Sequence, residues 1–145
     1  GYQVVLCGSS AQREVDLANN IIQQTKSPII SLVGKTSLKQ LTAVLSACEL
    51  VLAPDSGPAH IATTQGTKVL GLYGHSNPKR TGPYNNIDNV VSVYEKFAEE
   101  QNKQPVESLP WSTRVKGANV MQAISLNDVV EAFNKLIKGD IDVRN

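Results

Sequence analysis

Short apolar runs alternate along this chain with longer stretches in which apolar residues recur every three or four positions. Gln3 to Cys7 is β-branched and apolar on both faces, which suits a buried parallel strand, and Gly8-Ser9-Ser10 ends it. Ala11 to Gln24 follows with Val15, Ala18, Ile21 and Ile22 at helical spacing, until Lys26-Ser27-Pro28 breaks the pattern. Ile29 to Val33 reads as the next strand, closed by Gly34. Ser37, with Gln40 three residues on, forms a capping box for a helix to about Cys48, whose inward stripe is Leu38, Leu41, Leu45 and Cys48. Leu50 to Ala53 is a third strand. Pro58 to Gln65 is a short helix with proline in its first turn and Gly66 just past its end. Val69 to Tyr73 is a fourth strand.

Strand and helix thus alternate with short connections, the pattern of an α/β chain: a Rossmann-like parallel sheet with helices on both faces. The second half is less regular. Turn signals at Pro78, Pro83 and Asn85-Asn86 precede a possible fifth strand, Val90 to Val93. Tyr94 to Gly117 is long and polar and reads as a loop, functional or mobile, with Trp111 as its packing anchor and Glu95 to Glu100 as a solvated face. Ser125 caps a last helix from about Asn127 to Lys138, which Gly139 ends, leaving Asp140-Ile141-Asp142 as solvated tail charge.

Composition narrows the class without naming a function. At 145 residues with 41% hydrophobic content, the chain has the size of one domain, 1–145, able to bury its own core. A formal net charge of +1, with no basic run longer than Lys79-Arg80, directs it to neither nucleic acid nor an anionic membrane surface. Cys7 and Cys48 form no CxxC pair and read as reduced, buried thiols. No signal peptide and no membrane span is legible, so the expectation is a soluble, cytoplasmic chain.

In open parallel α/β sheets, ligands bind beyond the carboxyl ends of the strands. Four segments lie there: Gly8-Ser9-Ser10, Gly34-Lys35-Thr36, Asp55 to His60 and Gly74 to Arg80. The third is the most informative. Gly57 lets a ligand approach the backbone, Pro58 presets the helical φ, and the first-turn N–H groups with the helix dipole suit a diphosphate. Ser56 adds a hydroxyl, and His60 stands one turn in. A plainer reading stays open, with Ser56 as a cap, Asp55 stabilising a turn and His60 packing. Lys79 and Arg80 are phosphate or acceptor contacts, or solvated loop charges. Neither a G-x-G-x-x-G loop nor a Walker motif nor a G-x-S-x-G elbow occurs, and His60 and His75 lack partners at metal-ligand spacing.

Taken together, Leu32 to Leu38, Asp55-Ser56-Gly57-Pro58-Ala59-His60, Gly71 to Pro78, Gly82-Pro83-Tyr84, Leu109-Pro110-Trp111, Met121 and Ile124-Ser125-Leu126 resemble the glycosyltransferase family 9 heptosyltransferases. The resemblance implies the C-terminal, donor-binding half of a two-domain GT-B enzyme. Such an enzyme transfers heptose from ADP-heptose to the lipopolysaccharide inner core, with inversion and without metal or other cofactor. By motif position it puts Asp55 near donor sugar hydroxyls, and Ser56, Gly57 and His60 near the diphosphate. Thr36 falls beside adenine, and Glu14 is the acid that holds ribose hydroxyls.

The same resemblance implies an acceptor domain with the general base, absent from residues 1–145. The chain alone is then expected to bind donor without turnover, in a protein working in the cytoplasm, with peripheral association at the inner membrane of a Gram-negative bacterium. Two alternatives remain at this level: a non-catalytic nucleotide-binding module on the same fold, and a GT-B transferase using another nucleotide sugar.

Overall fold

In the computed structural model the backbone is described for residues 1–143 and side chains for residues 1–138. The chain divides into two compact units, residues 1–44 and 45–145. The parallel α/β class stands, with the strands hydrogen-bonded as two sheets.

In the first unit β1 (Val4–Leu6) pairs in parallel with β2 (Ile29–Ser31), and α1 (Gln12–Gln24) connects them. β1 is not the buried strand its apolar run suggests: Val4 is 43% exposed. Among the described strands β1 has one ladder partner, so it lies at an edge. After β2, Gly34 turns the chain and the expected capping box forms. Gln40 Oε1 accepts from the Ser37 N–H at 2.8 Å, and Ser37 Oγ accepts from the Gln40 N–H at 3.3 Å. The helix it opens, α2 (Leu38–Ser46), does not carry the whole inward stripe expected. Leu45 is 4% exposed but Leu38 is 70% exposed, because the first helical residue lies a full two turns from the buried end. Cys48 falls beyond the helix. Cys7 and Cys48 form no disulfide, and both are only half-buried, not buried as expected.

The second unit is built on a three-stranded parallel sheet in the order β3 (Leu50–Pro54), β4 (Lys68–Tyr73), β5 (Val90–Ser92). β4 is central. Its Val69, Leu70 and Tyr73 are fully buried, as expected for a strand with a ladder on each side. α3 (Gly57–Thr64) links β3 to β4. It ends where Gly66, at φ 76°, lets its own N–H reach the Thr63 carbonyl and the Thr67 N–H reach that of Ala62. The short α4 (Pro78–Thr81) follows β4, and the Asn77 side chain caps it by accepting from the Lys79 N–H at 3.0 Å.

The first part of the Tyr94 to Gly117 segment is helical rather than the long loop expected, and residues 109–117 remain a loop. Tyr94–Asn102 forms α5, closed by Lys103 in the left-handed region, and Val106–Ser108 adds a 3-10 turn. Tyr94 and Ala98 recur four residues apart, and they bury against Val115 and Val120 with Phe97, Val106 and Leu109 alongside. The intervening charges mask that spacing in the sequence; Glu95, Glu99 and Glu100 are indeed exposed. Trp111 does not anchor this segment: it is 60% exposed, and the anchoring falls to Tyr94, whose hydroxyl donates to the Thr113 carbonyl at 2.9 Å.

The last helix, α6 (Leu126–Val143), starts at the expected Ser125 cap, which accepts from the Asp128 N–H at 3.1 Å. Gly139 does not stop it; helical backbone continues through Asp140-Ile141-Asp142, whose side chains lie outside the described ones. A glycine ends a helix when the chain leaves through a left-handed residue, and here it does not. Among the described residues no helix is long and apolar enough to cross a membrane.

Truncating the two ends of α2 separates the buried from the exposed position. Leu45→Ala is expected to cost about 2–4 kcal/mol in urea unfolding and Leu38→Ala under about 1 kcal/mol, and equal losses would contradict this packing.

Candidate functional site

Because β3 and β4 run in parallel with Pro54 opposite Leu72, both strands release the chain at one edge of the sheet. Asp55 leaves β3 there, and Gly74-His75-Ser76 leaves β4 beside it. The Asp55 carboxylate is held by hydroxyls from that second segment. Ser76 Oγ donates to Oδ2, and Thr81 Oγ1, on α4, lies 3.2 Å from the same oxygen. Thr81 has one hydroxyl proton and also stands 3.3 Å from the Asn77 carbonyl, which makes Ser76 the firmer partner. The other oxygen, Oδ1, stands 3.8 Å from His60 Nε2. The imidazole is half exposed, with 51% of its side-chain surface open, against 24% for Asp55.

Tyr73 closes this corner from below. Its ring is fully buried, and its hydroxyl donates to the Thr81 carbonyl at 2.8 Å. Burial, and secondly the negative charge of Asp55, push its pKa up to about 12. The phenol therefore stays a donor across the physiological range, and α4 stays fixed to the strand.

α3 begins next to this carboxylate, and its start has no side-chain cap. Ser56 occupies the N-cap position with extended backbone, yet its hydroxyl donates back to the Pro54 carbonyl at 3.1 Å instead of accepting from the helix. The reading of Ser56 as a plain cap is thereby corrected: Pro54 claims the hydroxyl. Among the described residues the exposed Gly57 N–H finds no acceptor. A Cβ built on Gly57 meets nothing within 4 Å, so neither packing nor a positive φ requires glycine there. What glycine leaves is unobstructed backbone at the positive end of a helix, an arrangement that favours an anion.

Ser76, Thr81 and Tyr73 are the members of this site that sequence reasoning missed. Ser76 stands in the strand-end segment Gly74 to Arg80 and was within reach of it; Thr81 carries no local signal. His75 does structural work. Its Nδ1 lies 3.0 Å from the Val115 carbonyl and its own carbonyl accepts from the Val115 N–H at 2.9 Å. A carbonyl only accepts, so Nδ1 carries the proton. Lys79 is engaged as well, its Nζ 2.8 Å from Glu95 Oε1. Arg80, exposed on α4, has no side-chain partner among the described residues.

The first unit holds the remaining two candidates. Glu14, in the first turn of α1, accepts from the Ser9 N–H at 2.7 Å and from Ser9 Oγ at 2.8 Å. These bonds, the hydroxyl first, hold its pKa below the ordinary value. Thr36 is half-buried just before the Ser37 cap. Among the described residues no cluster of three or more His, Cys, Asp or Glu is placed to hold a metal ion.

Residues 1–110 match the family model of glycosyltransferase family 9 (heptosyltransferase). The lipopolysaccharide core heptosyltransferase OpsX of Haemophilus influenzae is 51% identical over 133 residues, which are 92% of this chain and 38% of that protein. The crystal structure of a family 9 glycosyl transferase from Veillonella parvula superposes with a TM-score of 0.68 at 25% identity, over 96% of this chain and 38% of that one. The ADP-heptose LPS heptosyltransferase II of E. coli shares the fold at a TM-score of 0.68 and 24% identity. The chain therefore spans about 38% of the length of these relatives.

The Glu14 geometry gives a pH test. Its carboxyl carbon is expected to titrate below the ordinary glutamate range by NMR, and Ser9→Ala to move the midpoint back up. The small stabilisation from this exposed group is present above the ordinary value and fades as pH falls through the depressed one. A midpoint unmoved by Ser9→Ala would remove the hydroxyl as its cause.

Proposed function

Because the chain belongs to glycosyltransferase family 9, the heptosyltransferases, we propose that residues 1–145 form the donor-binding part of a metal-independent, inverting transferase. It moves heptose from ADP-heptose to the lipopolysaccharide inner core. The observation that carries this reading is the start of α3: its natural caps are turned away, its Gly57 backbone is open, and a clamped carboxylate and an imidazole stand beside it. That site suits the pyrophosphate of a nucleotide sugar.

Departure of ADP builds negative charge on the leaving phosphate. Fixed N–H dipoles at a helix start, aided by the His60 imidazole, stabilise that charge without reorganising. Such neutralisation takes the place of a divalent cation in this proposal. The Gly57 N–H lines the diphosphate position, the Ser56 hydroxyl would first have to leave the Pro54 carbonyl to join it, and Asp55 meets donor sugar hydroxyls through Oδ1. Thr36 serves adenine and Glu14 the ribose, both by motif position; the two oxygens of Glu14 have lone pairs left beyond the Ser9 bonds. Arg80, exposed on α4, is a phosphate or acceptor contact, and Lys79 would first have to leave Glu95.

No described residue is assigned as the general base. The acceptor hydroxyl must lose a proton to attack, so the reaction needs a base in addition to the donor site. A lipopolysaccharide acceptor places the reaction at the cytoplasmic face of the inner membrane, with the protein associated peripherally.

Titration with ADP and with UDP, followed by amide and imidazole shifts, tests the assignment. ADP is expected to perturb Thr36, Ser56, Gly57 and His60; perturbation by UDP alone would transfer the chain to another nucleotide-sugar class. No response to either would leave a non-catalytic module. Gly57→Ala is expected to leave stability within about 0.5 kcal/mol, since its Cβ meets nothing, while ADP binding falls about tenfold. Likewise His60→Ala should weaken ADP more than adenosine, and equal losses would take His60 out of the diphosphate site.

A further inference from the structure

An aspartate two residues before an exposed backbone N–H ordinarily closes on it. Asp side chains accept from the N–H two residues on, and a carboxylate at a helix start gains further from the dipole. Asp55 and Gly57 have that spacing, and the Gly57 N–H is without an acceptor among the described residues. The carboxylate is nevertheless turned the other way, towards Ser76 and Thr81.

We propose that Ser76 and Thr81 are positioning residues that hold the Asp55 carboxylate off the start of α3, keeping that start open for a diphosphate. The proposal rests on the donor-site reading above for the identity of the anion. Without the clamp, Asp55 would satisfy Gly57 itself and set a negative charge where the diphosphate must lie. Both hydroxyls are placed by parts of the fold that have little freedom. Ser76 is 3% exposed and lies three residues past the end of the central strand, next to the Asn77 cap. Thr81 ends α4, and the buried Tyr73 phenol holds its carbonyl. The diverted Ser56 hydroxyl has the same consequence, because it too declines to cap the helix. Two side chains that would close the anion site are thus each engaged elsewhere by short-range hydrogen bonds.

Two measurements on this chain separate the clamp from the ligand. In the absence of nucleotide, Ser76→Ala should shift the Gly57 amide proton downfield as the carboxylate reaches it, and adding Asp55→Ala should reverse the shift. An unmoved Gly57 amide overturns the clamp, whatever binds there. With nucleotide, Ser76→Ala should weaken ADP about tenfold, and adding Asp55→Ala should restore affinity to within about twofold of the parent. A merely structural role for Ser76 gives no such rescue, since removing a second buried partner cannot repair packing. Thr81→Val should repeat both effects more weakly and Thr81→Ser should show neither, which supplies a second route should Ser76→Ala fail to fold. If the amide shift and its reversal occur but the parent chain ignores ADP, the clamp stands and the donor-site reading falls.

Discussion

Two parallel strands in register must end at the same edge of their sheet, and the site in the second unit follows from that constraint. Pro54 opposite Leu72 sets Asp55 beside the segment that leaves β4. From there Ser76 is in hydrogen-bonding reach of a carboxylate 21 residues earlier in the chain. The same strand end starts α4, which brings Thr81 to the same oxygen. A slip of one residue in this ladder would turn every side chain to the opposite face and dissolve the cluster.

What keeps the edge rigid is built behind it. β4 is flanked on both sides, and its buried Tyr73 reaches up to α4. The segment after α5 returns to the strand end and is stitched to it by reciprocal bonds between His75 and Val115. Gln101 and Lys116 exchange a second reciprocal pair, at 2.6 Å and 3.0 Å. A polar stretch that sequence patterning reads as a loop is therefore a brace. Buried under it are Tyr94, Ala98, Val115 and Val120.

Electrostatically the site joins opposites. A carboxylate stands next to the positive end of a helix without neutralising it, because its charge is shared with hydroxyls on one side and faces an imidazole on the other.

Sequence by itself determined the alternation of strands and helices, since apolar runs and 3.6-residue spacing are local properties. It also determined the ends: the Ser37–Gln40 box, Pro58 in the first turn of α3, Gly66 past its end and the Ser125 cap are contacts between residues a few positions apart. The Asp55 to His60 motif was legible for the same reason. Tertiary structure alone decided which hydroxyls hold Asp55, that Ser56 turns back to Pro54 rather than capping, that Lys79 pairs with Glu95, and that Trp111 stands out while Tyr94 goes in. Those outcomes depend on partners distant in sequence, or on competition between two acceptors for one proton, and neither has a periodicity to read. Burial at β1 and Leu38 belongs with them: an apolar residue records what it prefers, and only the packed chain settles what covers it.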